Sequence, residues 1–494
     1  MMDDPKMKQL LAEVGWSETP ALPIKAQTQK RQTSAPASDA RDEFGDRDLE
    51  QMNRDHAVVN VEGKTRVASL QERELFDGFK IKVWVYSSFT DFKAFHAFPR
   101  KFDRSSRHPI GKGAWWLQQQ GRSQFNGVEF APCSETPGRL NLWMGWGCEP
   151  RPGDWSLFRR HIEEVVCSGN RQYSEYMFNW MARGVQQPGK PGEVAVVLRG
   201  EEGAGKGIVG REFGRIFGHH YLHISDGKHL VGNFNSHLQQ CVLLYADEAF
   251  FAGDRSHESK LKTLITEPTN HIEPKGVNSY QVRNCIHLIM SSNDTWVVPA
   301  GGQARRYFVL DVSKSKMKQF GYFAAIEEQM KNGGREALFY DLLMRDISAF
   351  QFRDVPQTEA LAEQKQYSRR GLDQLIECIC FNGCLPAAHP LFPNIAITSG
   401  ETDGQGFYPK AKRLAPSLKW IGSTNIASEL HKKWGCVPWN SRIDNFAKRG
   451  FTFPPLLKLR QLFEERHGPQ DWPEQADWQN EIDLHAQRSV DAGG

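Results

Sequence analysis

Glu193-Val-Ala-Val-Val-Leu-Arg-Gly200-Glu-Glu-Gly-Ala-Gly-Lys206-Gly207 is the stretch that decides how this chain reads. A short β-branched run reaches a glycine-rich loop ending in lysine, and a helical pattern follows. That order suits a phosphate cradle. Gly200, Gly203 and Gly205 let backbone N–H groups turn inward around an anion, and the next helix points its N-terminal dipole at it. The spacing of Gly200, Gly205 and Lys206 fits the Walker A pattern up to its last position, where a Ser or Thr normally holds Mg²⁺. That position is Gly207, and Ile208 beside it supplies no hydroxyl either. Glycine-rich turns between strand and helix are common, so the rest of the chain must decide what this loop does.

The totals set the frame. At 494 residues the chain has room for two to four domains. A formal net charge of +3 supplies no global attraction to nucleic acid, so any such binding must come from local patches. Nine irregularly placed cysteines read as reduced and intracellular, not as a disulfide scaffold. The start leads into no apolar signal segment, and no run approaches the roughly 18 apolar residues of a membrane helix. The expectation is a soluble, cytoplasmic protein without a membrane partner.

Composition divides the chain. Residues 1–50 read as a short helix near Met7–Val14 followed by a disordered, polar linker. Residues 51–150 read as a β-rich region: a hairpin turning at Glu62-Gly63, an alternating strand from Phe79, and short strands near Val128 and Leu140. Trp115, Trp116, Trp143 and Trp146 could stack bases, but in so small a β region core packing is the simpler reading. Residues 151–350 read as two helices, one with Asp154 at its N-cap and one over Tyr173–Val185, followed by the phosphate-loop core.

About forty residues past Lys206, Cys241-Val-Leu-Leu-Tyr-Ala ends in Asp247-Glu248. An apolar strand closed by Asp-Glu is the Walker B arrangement: Asp247 for Mg²⁺, Glu248 to polarise the attacking water. A third strand ends at Asn293, placed to sense a γ-phosphate or simply to make a turn. Arg305-Arg306 then precede a fourth strand, Tyr307–Asp311. Either guanidinium could reach the γ-phosphate of a neighbouring subunit, a role worth ~10³–10⁵ in rate. Pro274-Lys275-Gly276 sits between the strand-like arms Asn270–Glu273 and Val277–Val282. Lys275 is either a finger onto backbone phosphate in a ring channel or an exposed turn lysine.

These motifs, in this order, resemble the superfamily 3 helicase domain of phage and plasmid primase–helicases. The wording of Ala246-Asp-Glu-Ala-Phe-Phe-Ala-Gly-Asp, Leu264-Ile-Thr-Glu-Pro-Thr, Gln281-Val-Arg-Asn, Ser292-Asn-Asp-Thr-Trp-Val-Val-Pro-Ala and Arg305-Arg-Tyr-Phe-Val-Leu-Asp is similar to that group. The likeness spans about 130–350. It implies an α/β, AAA+-like P-loop NTPase core, ATP with Mg²⁺ at the interfaces of a homo-hexamer, and movement on single-stranded DNA. Carried over, Lys206 would bind phosphate, Asp247 the metal and Lys275 DNA. Glu248 would be the catalytic base, Asn293 the sensor, and Arg305 or Arg306 the finger. Two departures stand out: no hydroxyl follows Lys206, and no primase domain fits ahead of residue 150. Priming is therefore not implied, and a separate primase or polymerase is an expected partner.

Residues 351–468 read as a mainly helical, winged-helix-like region, with 469–494 a flexible tail. Lys410–Arg460 holds eleven Lys or Arg against only Glu429 and Asp444. A helix over Thr424–Trp434 closed by Gly435, a second over Ser441–Lys448 and a strand from Gly450 would dock on duplex phosphates through Lys432, Lys433, Arg442, Lys448 and Arg449. The same charge could be a solvated face. Cys378, Cys380 and Cys384, with His389 near, invite a zinc reading, but Cys378 and Cys380 lie on the apolar helical run Asp373–Phe381, where packing as small hydrophobes outweighs it. Two functions follow: an ATP-dependent DNA helicase or translocase of a phage or mobile element, or a nucleotide-switched initiator or loading factor without processive unwinding.

Overall fold

The computed structural model describes residues 43–74, 80–103, 108–226, 235–248, 255–273, 279–300, 305–369, 371–398, 405–443 and 446–479. The chain divides into two compact units, residues 1–298 with 305–362, and residues 299–304 with 363–494.

In the first unit, α1 (Asp46–Asp55) precedes the antiparallel strands β1 (His56–Val61), β2 (Lys64–Glu74) and β3 (Lys80–Ser87). The β1–β2 turn falls on Glu62 and Gly63, both at positive φ (47° and 76°), as a two-residue hairpin of this hand requires. A short strand, β4 (Gln124–Phe125), adds parallel to β1. The linker expected to reach residue 50 therefore ends earlier. Met52 and Asn53 of α1 are buried, and Asn53 Oδ1 accepts a 2.9 Å hydrogen bond from the Trp116 indole. The expected helix near Met7–Val14 lies outside the described residues.

Trp116 is fully buried and Trp115 nearly so; both are core. Trp143 stacks on His220 with ring centroids 4.4 Å apart. Ala57, Val59, Ala68 and Trp84 of this sheet share one hydrophobic core with the rest of the unit, so residues 51–150 are not a separate body.

That core is built on a five-stranded, all-parallel sheet in the order β6-β7-β10-β5-β11. Its strands are β5 (Ala195–Arg199), β6 (Tyr221–Ile224), β7 (Leu243–Asp247), β10 (His287–Ser292) and β11 (Tyr307–Asp311). β8 (Thr269–Ile272) and β9 (Tyr280–Arg283) form a separate antiparallel ribbon. The continuous apolar runs are those of strands buried on both faces. β6 carries no such run, which is why sequence reading passed over it.

Helices cover the sheet: α2 (Arg171–Gln186), α3 (Lys206–Phe217), α4 (Phe320–Gln329) and α5 (Arg335–Met344). Asn170 caps α2 by accepting from Tyr173 N at 3.2 Å. The helix expected from Asp154 begins at Ser156, runs to Arg160 and continues as a π-helical segment over His161–Val166.

The second unit runs helix, strand, helix, helix, hairpin, helix: α6 (Gly371–Asn382), β12 (Phe392–Ile397), α7 (Phe407–Leu414), α8 (Ser423–Trp434), β13 (Val437–Ile443), β14 (Phe446–Thr452) and α9 (Leu456–His467). The hairpin pairs through β14 to β12, by Ile395–Thr452, Ala396–Phe451 and Ile397–Gly450. The expected helix over Ser441–Lys448 is wrong. Ser441 and Lys448 are cross-strand partners, and long-range pairing onto β12 overrides the local pattern. Gly435 does close α8, at φ 67°.

The expected tail is ordered at least to Gln479. Arg460 donates to the carbonyls of Pro473 (2.9 Å) and Gln475 (2.5 Å), and Trp472 and Trp478 pack on the core. Cys380 and Cys384 are buried there as small apolar side chains, and burial pushes the Cys380 thiol up to about 12.

Two fully buried histidines make stability depend on pH. His220 donates from Nδ1 to Gln240 O (2.8 Å) and accepts at Nε2 from Met144 N (2.9 Å), which fixes a neutral tautomer. Burial lowers the pKa of His220 and His287 from 6.5 to about 3. The unfolded chain therefore takes up protons first, and stability falls as pH drops below 6.5. Urea denaturation at pH 5 should show a loss of roughly 2 kcal/mol per histidine relative to pH 7.

Candidate functional site

The site begins where β5 ends. Arg199 grips Asp311 of β11 with both carboxylate contacts, at 2.6 and 2.7 Å, and so ties the two C-terminal strand edges together. The loop beyond it turns at Gly200 (φ 156°), Gly203 (φ 79°) and Gly205 (φ 99°). A Cβ on Gly205 would also lie 2.6 Å from His161 Cε1, so no side chain fits there. His161 donates from Nε2 to Gly205 O at 3.1 Å and accepts at Nδ1 from the Tyr322 hydroxyl at 3.2 Å. Burial lowers its pKa to about 4, so it braces the loop as a neutral ring.

α3 starts at Lys206, so its free N–H groups face the loop. The Lys206 ammonium donates to Gly200 O (2.6 Å), Glu201 O (2.9 Å) and Asn293 Oδ1 (2.6 Å). Burial draws its pKa below the usual lysine range, against the pull of Glu248 and Asp247. Asn293 turns its Nδ2 to the Glu248 carboxylate, so a single amide joins lysine and acid. Asp247 accepts from Ser291 Oγ, which in turn meets the Tyr245 hydroxyl at 2.7 Å. The Asp247 carboxyl is held down to about 2, chiefly by the His223 imidazole 3.6 Å away, with Ser291 and Tyr245 adding to it against burial.

A cleft of about 480 Å³ opens here, lined by Gly203, Gly205, Lys206, Gly207, Asp247, Glu248 and Asn293, with Glu202, Ile208, Arg211 and Phe323 completing it. It lies at the carboxyl ends of the parallel strands, where ligands of such folds bind. The donors suit a magnesium nucleotide: backbone N–H groups and a lysine for phosphate, one ionised carboxylate for a hard cation. No group of three or more His, Cys, Asp or Glu that could hold a metal occurs among the described residues. Mg²⁺ characteristically takes one or two carboxylates plus phosphates and water, which Asp247 satisfies.

Other expected residues lie elsewhere. Arg305 and Arg306 do not line this cleft. They precede β11 at its amino end, and the strand's five residues separate them from the cleft edge by roughly 16 Å. Lys275 lies outside the described residues, although its two flanking arms are β8 and β9. In the second unit Lys432 and Lys433 are exposed on α8, Arg442 and Arg449 are exposed on the β13–β14 hairpin, and Lys448 is half-buried.

Sequence reading missed His161, Arg211, His223, Tyr245, Ser291, Tyr322 and Phe323. Two of them carried a signal: Ser291 is a polar residue within the apolar strand before Asn293, and Arg211 lies one helical turn beyond Gly207. Arg211 is ion-paired to Glu327 at 2.9 Å.

The chain is similar to known proteins in part of its sequence and in its fold. Residues 198–306 match a family described as a family of unknown function, DUF5906. A stretch of 144 residues is 27% identical to the DNA primase-polymerase of Nitratiruptor phage NrS-1, covering 28% of this chain and 20% of that protein. The match thus spans about a fifth of that relative's length. The apo structure of the NrS-1 C-terminal region (305–718) has a TM-score of 0.57 at 14% identity, covering 81% of this chain and 96% of that one. A second apo form gives 0.56 at 13% identity with the same coverage. The chain is therefore a mixed α/β protein that shares the fold of that C-terminal region.

The packing of α3 on the sheet makes one test. A Cβ on Gly210 would come within 2.5 Å of the Tyr245 ring. Gly210→Ala should cost about 1–3 kcal/mol in chemical denaturation, despite alanine's better helix propensity.

Proposed function

We propose that the protein is an ATP-dependent DNA helicase or translocase of a phage or mobile-element replication system, acting as a ring. One observation carries the reading: a lysine-ended glycine loop, Asp247, Glu248 and Asn293 meet in one cleft at the C-terminal edge of a parallel sheet. Counting β5 as the first strand of that sheet, the order is 5-1-4-3-2, which sets the loop-bearing strand between β10 and β11. The likeness to a phage primase-polymerase supports the replication setting.

In this reading the loop N–H groups and Lys206 hold the β- and γ-phosphates. Bound Mg²⁺ would offset phosphate charge, with Asp247 as its protein ligand. Glu248 takes the proton of the attacking water, and Asn293 orients that water against the γ-phosphate. Arg305 or Arg306, remote from its own cleft, serves the cleft of the next subunit in a homo-hexamer. Lys275 contacts single-stranded DNA. In the second unit the order helix–strand–helix–helix–hairpin supports the winged-helix-like reading. The unit presents Lys432, Lys433, Arg442, Lys448 and Arg449 to duplex phosphates, with α8 and the hairpin as the docking elements. A separate primase or polymerase would complete the replication assembly.

Gly207 favours a second reading, a nucleotide-switched initiator or loading factor with slow turnover. Strand-displacement assays separate the two: tight ATP and duplex binding without unwinding would select the switch.

Lys206→Ala should lower DNA-stimulated ATP hydrolysis by at least about 10²; an unchanged rate would sink the helicase reading. Replacing the finger arginine should cost ~10³ or more, and mixing that variant with Lys206→Ala should recover activity in mixed rings. No recovery at any mixing ratio would argue against catalysis across an interface. Converting Lys432, Lys433, Arg442 and Arg449 to Ala together should weaken duplex binding and flatten its salt dependence by up to about four units of slope.

A further inference from the structure

The position that lacks a hydroxyl faces one supplied from across the sheet. A Cβ built on Gly207 would sit 3.7 Å from the Tyr245 hydroxyl and 3.9 Å from Arg211 Nη1, in ordinary contact with both. Three residues on, Gly210 is the only kind of residue that lets the Tyr245 ring lie against α3, since its Cβ would be 2.5 Å from that ring. Two glycines about one turn apart thus open a slot on the helix, and a phenol from β7 fills it. Tyr245 is fully buried and Ser291 is 2% exposed, so the contact between their hydroxyls is dry.

The direction of donation follows from counting protons. Ser291 has one, and it goes to Asp247 Oδ1. Tyr245 must therefore donate its own to Ser291 Oγ, 2.7 Å away. Buried groups of this kind are expensive unless paired, and here each link satisfies the next. Register places the relay. Asp247 pairs with Ser291 across β7 and β10, so the serine hydroxyl stands beside the carboxylate at the cleft edge.

In a loop ending Lys-Ser or Lys-Thr, the hydroxyl in the first helical turn serves the cation. We propose that the Tyr245–Ser291 hydroxyl relay replaces that residue's positioning role, fixing the Asp247 carboxylate for the divalent cation of a bound nucleoside triphosphate and so making Gly207 workable. The inference rests on the nucleotide reading above. Tyr245 and Ser291 act as positioning residues through Asp247, not as ligands. Partners of a ligating carboxylate are typically worth 10–100-fold in metal affinity, which sets the expected scale.

The test uses the full chain, a non-hydrolysable ATP analogue and Mn²⁺ as probe, with free Mn²⁺ read by electron paramagnetic resonance. Ser291→Ala should raise the Mn²⁺ Kd in the presence of the analogue by about 10–100-fold, with metal-free analogue binding nearly unchanged. Tyr245→Phe, which keeps the ring in its slot, should act in the same direction and less strongly. Gly207→Ser places a hydroxyl where the structure leaves room. It should recover most of the lost affinity in the Ser291→Ala background while adding little to the wild type, a non-additivity that a packing role for Ser291 would not produce. Mn²⁺ bound equally by wild type and Ser291→Ala overturns the relay. So does a loss that Gly207→Ser leaves untouched while thermal melts show the variants folded. If Ser291→Ala does not fold, the Tyr245→Phe pair with and without Gly207→Ser decides by the same criteria. A wild-type protein that binds neither analogue nor Mn²⁺ overturns the nucleotide reading itself, which keeps the two failures apart.

Discussion

The parallel pairing of β5 between β10 and β11 is the constraint on which the first unit depends. Its register sets Arg199 beside Ser292 on one side and Asp311 on the other. The glycine loop leaving β5 therefore emerges between the ends of two strands that arrive from much later in the chain. Asn293, one residue past β10, falls within 2.6 Å of the lysine at the loop's far end. No local interaction would bring these groups together. The sheet does so because strands buried on both faces must pair in a register that keeps every backbone group satisfied.

The cleft formed this way is already an electrostatic unit. Lys206 is held by two backbone carbonyls and by Asn293, and Asn293 also engages Glu248. The ammonium that Asn293 Oδ1 accepts from lies at the end of the glycine loop, and the same amide holds Glu248. Lys206 and Glu248 are thus linked through one side chain. The surrounding brace is apolar and neutral, with His161 uncharged beneath Gly205. The charged groups are the few that line the opening.

The glycines of α3 illustrate how packing, not helix propensity, selects residues. Gly210 and Gly214 lie in a helix interior, where glycine costs about 1 kcal/mol against alanine. Each faces an aromatic ring, Tyr245 and Tyr221, at distances that no Cβ permits. The helix is thus drawn close to the sheet. That closeness puts the Tyr245 hydroxyl next to Gly207. In the second unit the same tension appears at Ser441–Lys448, where a locally plausible helix gives way to a hairpin that extends the β12 sheet.

Much was legible in the sequence because it was local or strongly patterned. The β5–loop–α3 unit, the strands ending at Asp247 and near Asn293, the β1–β2 turn and the Gly435 cap all follow from apolar runs and glycine positions within a few residues. What the tertiary structure alone decided was convergence. His161, Tyr322 and Phe323 come to the loop from helices on either side of it in sequence, and His223 reaches Asp247 from a strand too short to announce itself. Only the parallel order β7-β10-β5 and the close packing of α3 bring Tyr245, Ser291 and Gly207 to one place. The sequence by itself determined that a hydroxyl is missing after Lys206. The fold decided that another stands within reach, because register and helix approach are properties of the packed sheet, not of any segment of the chain.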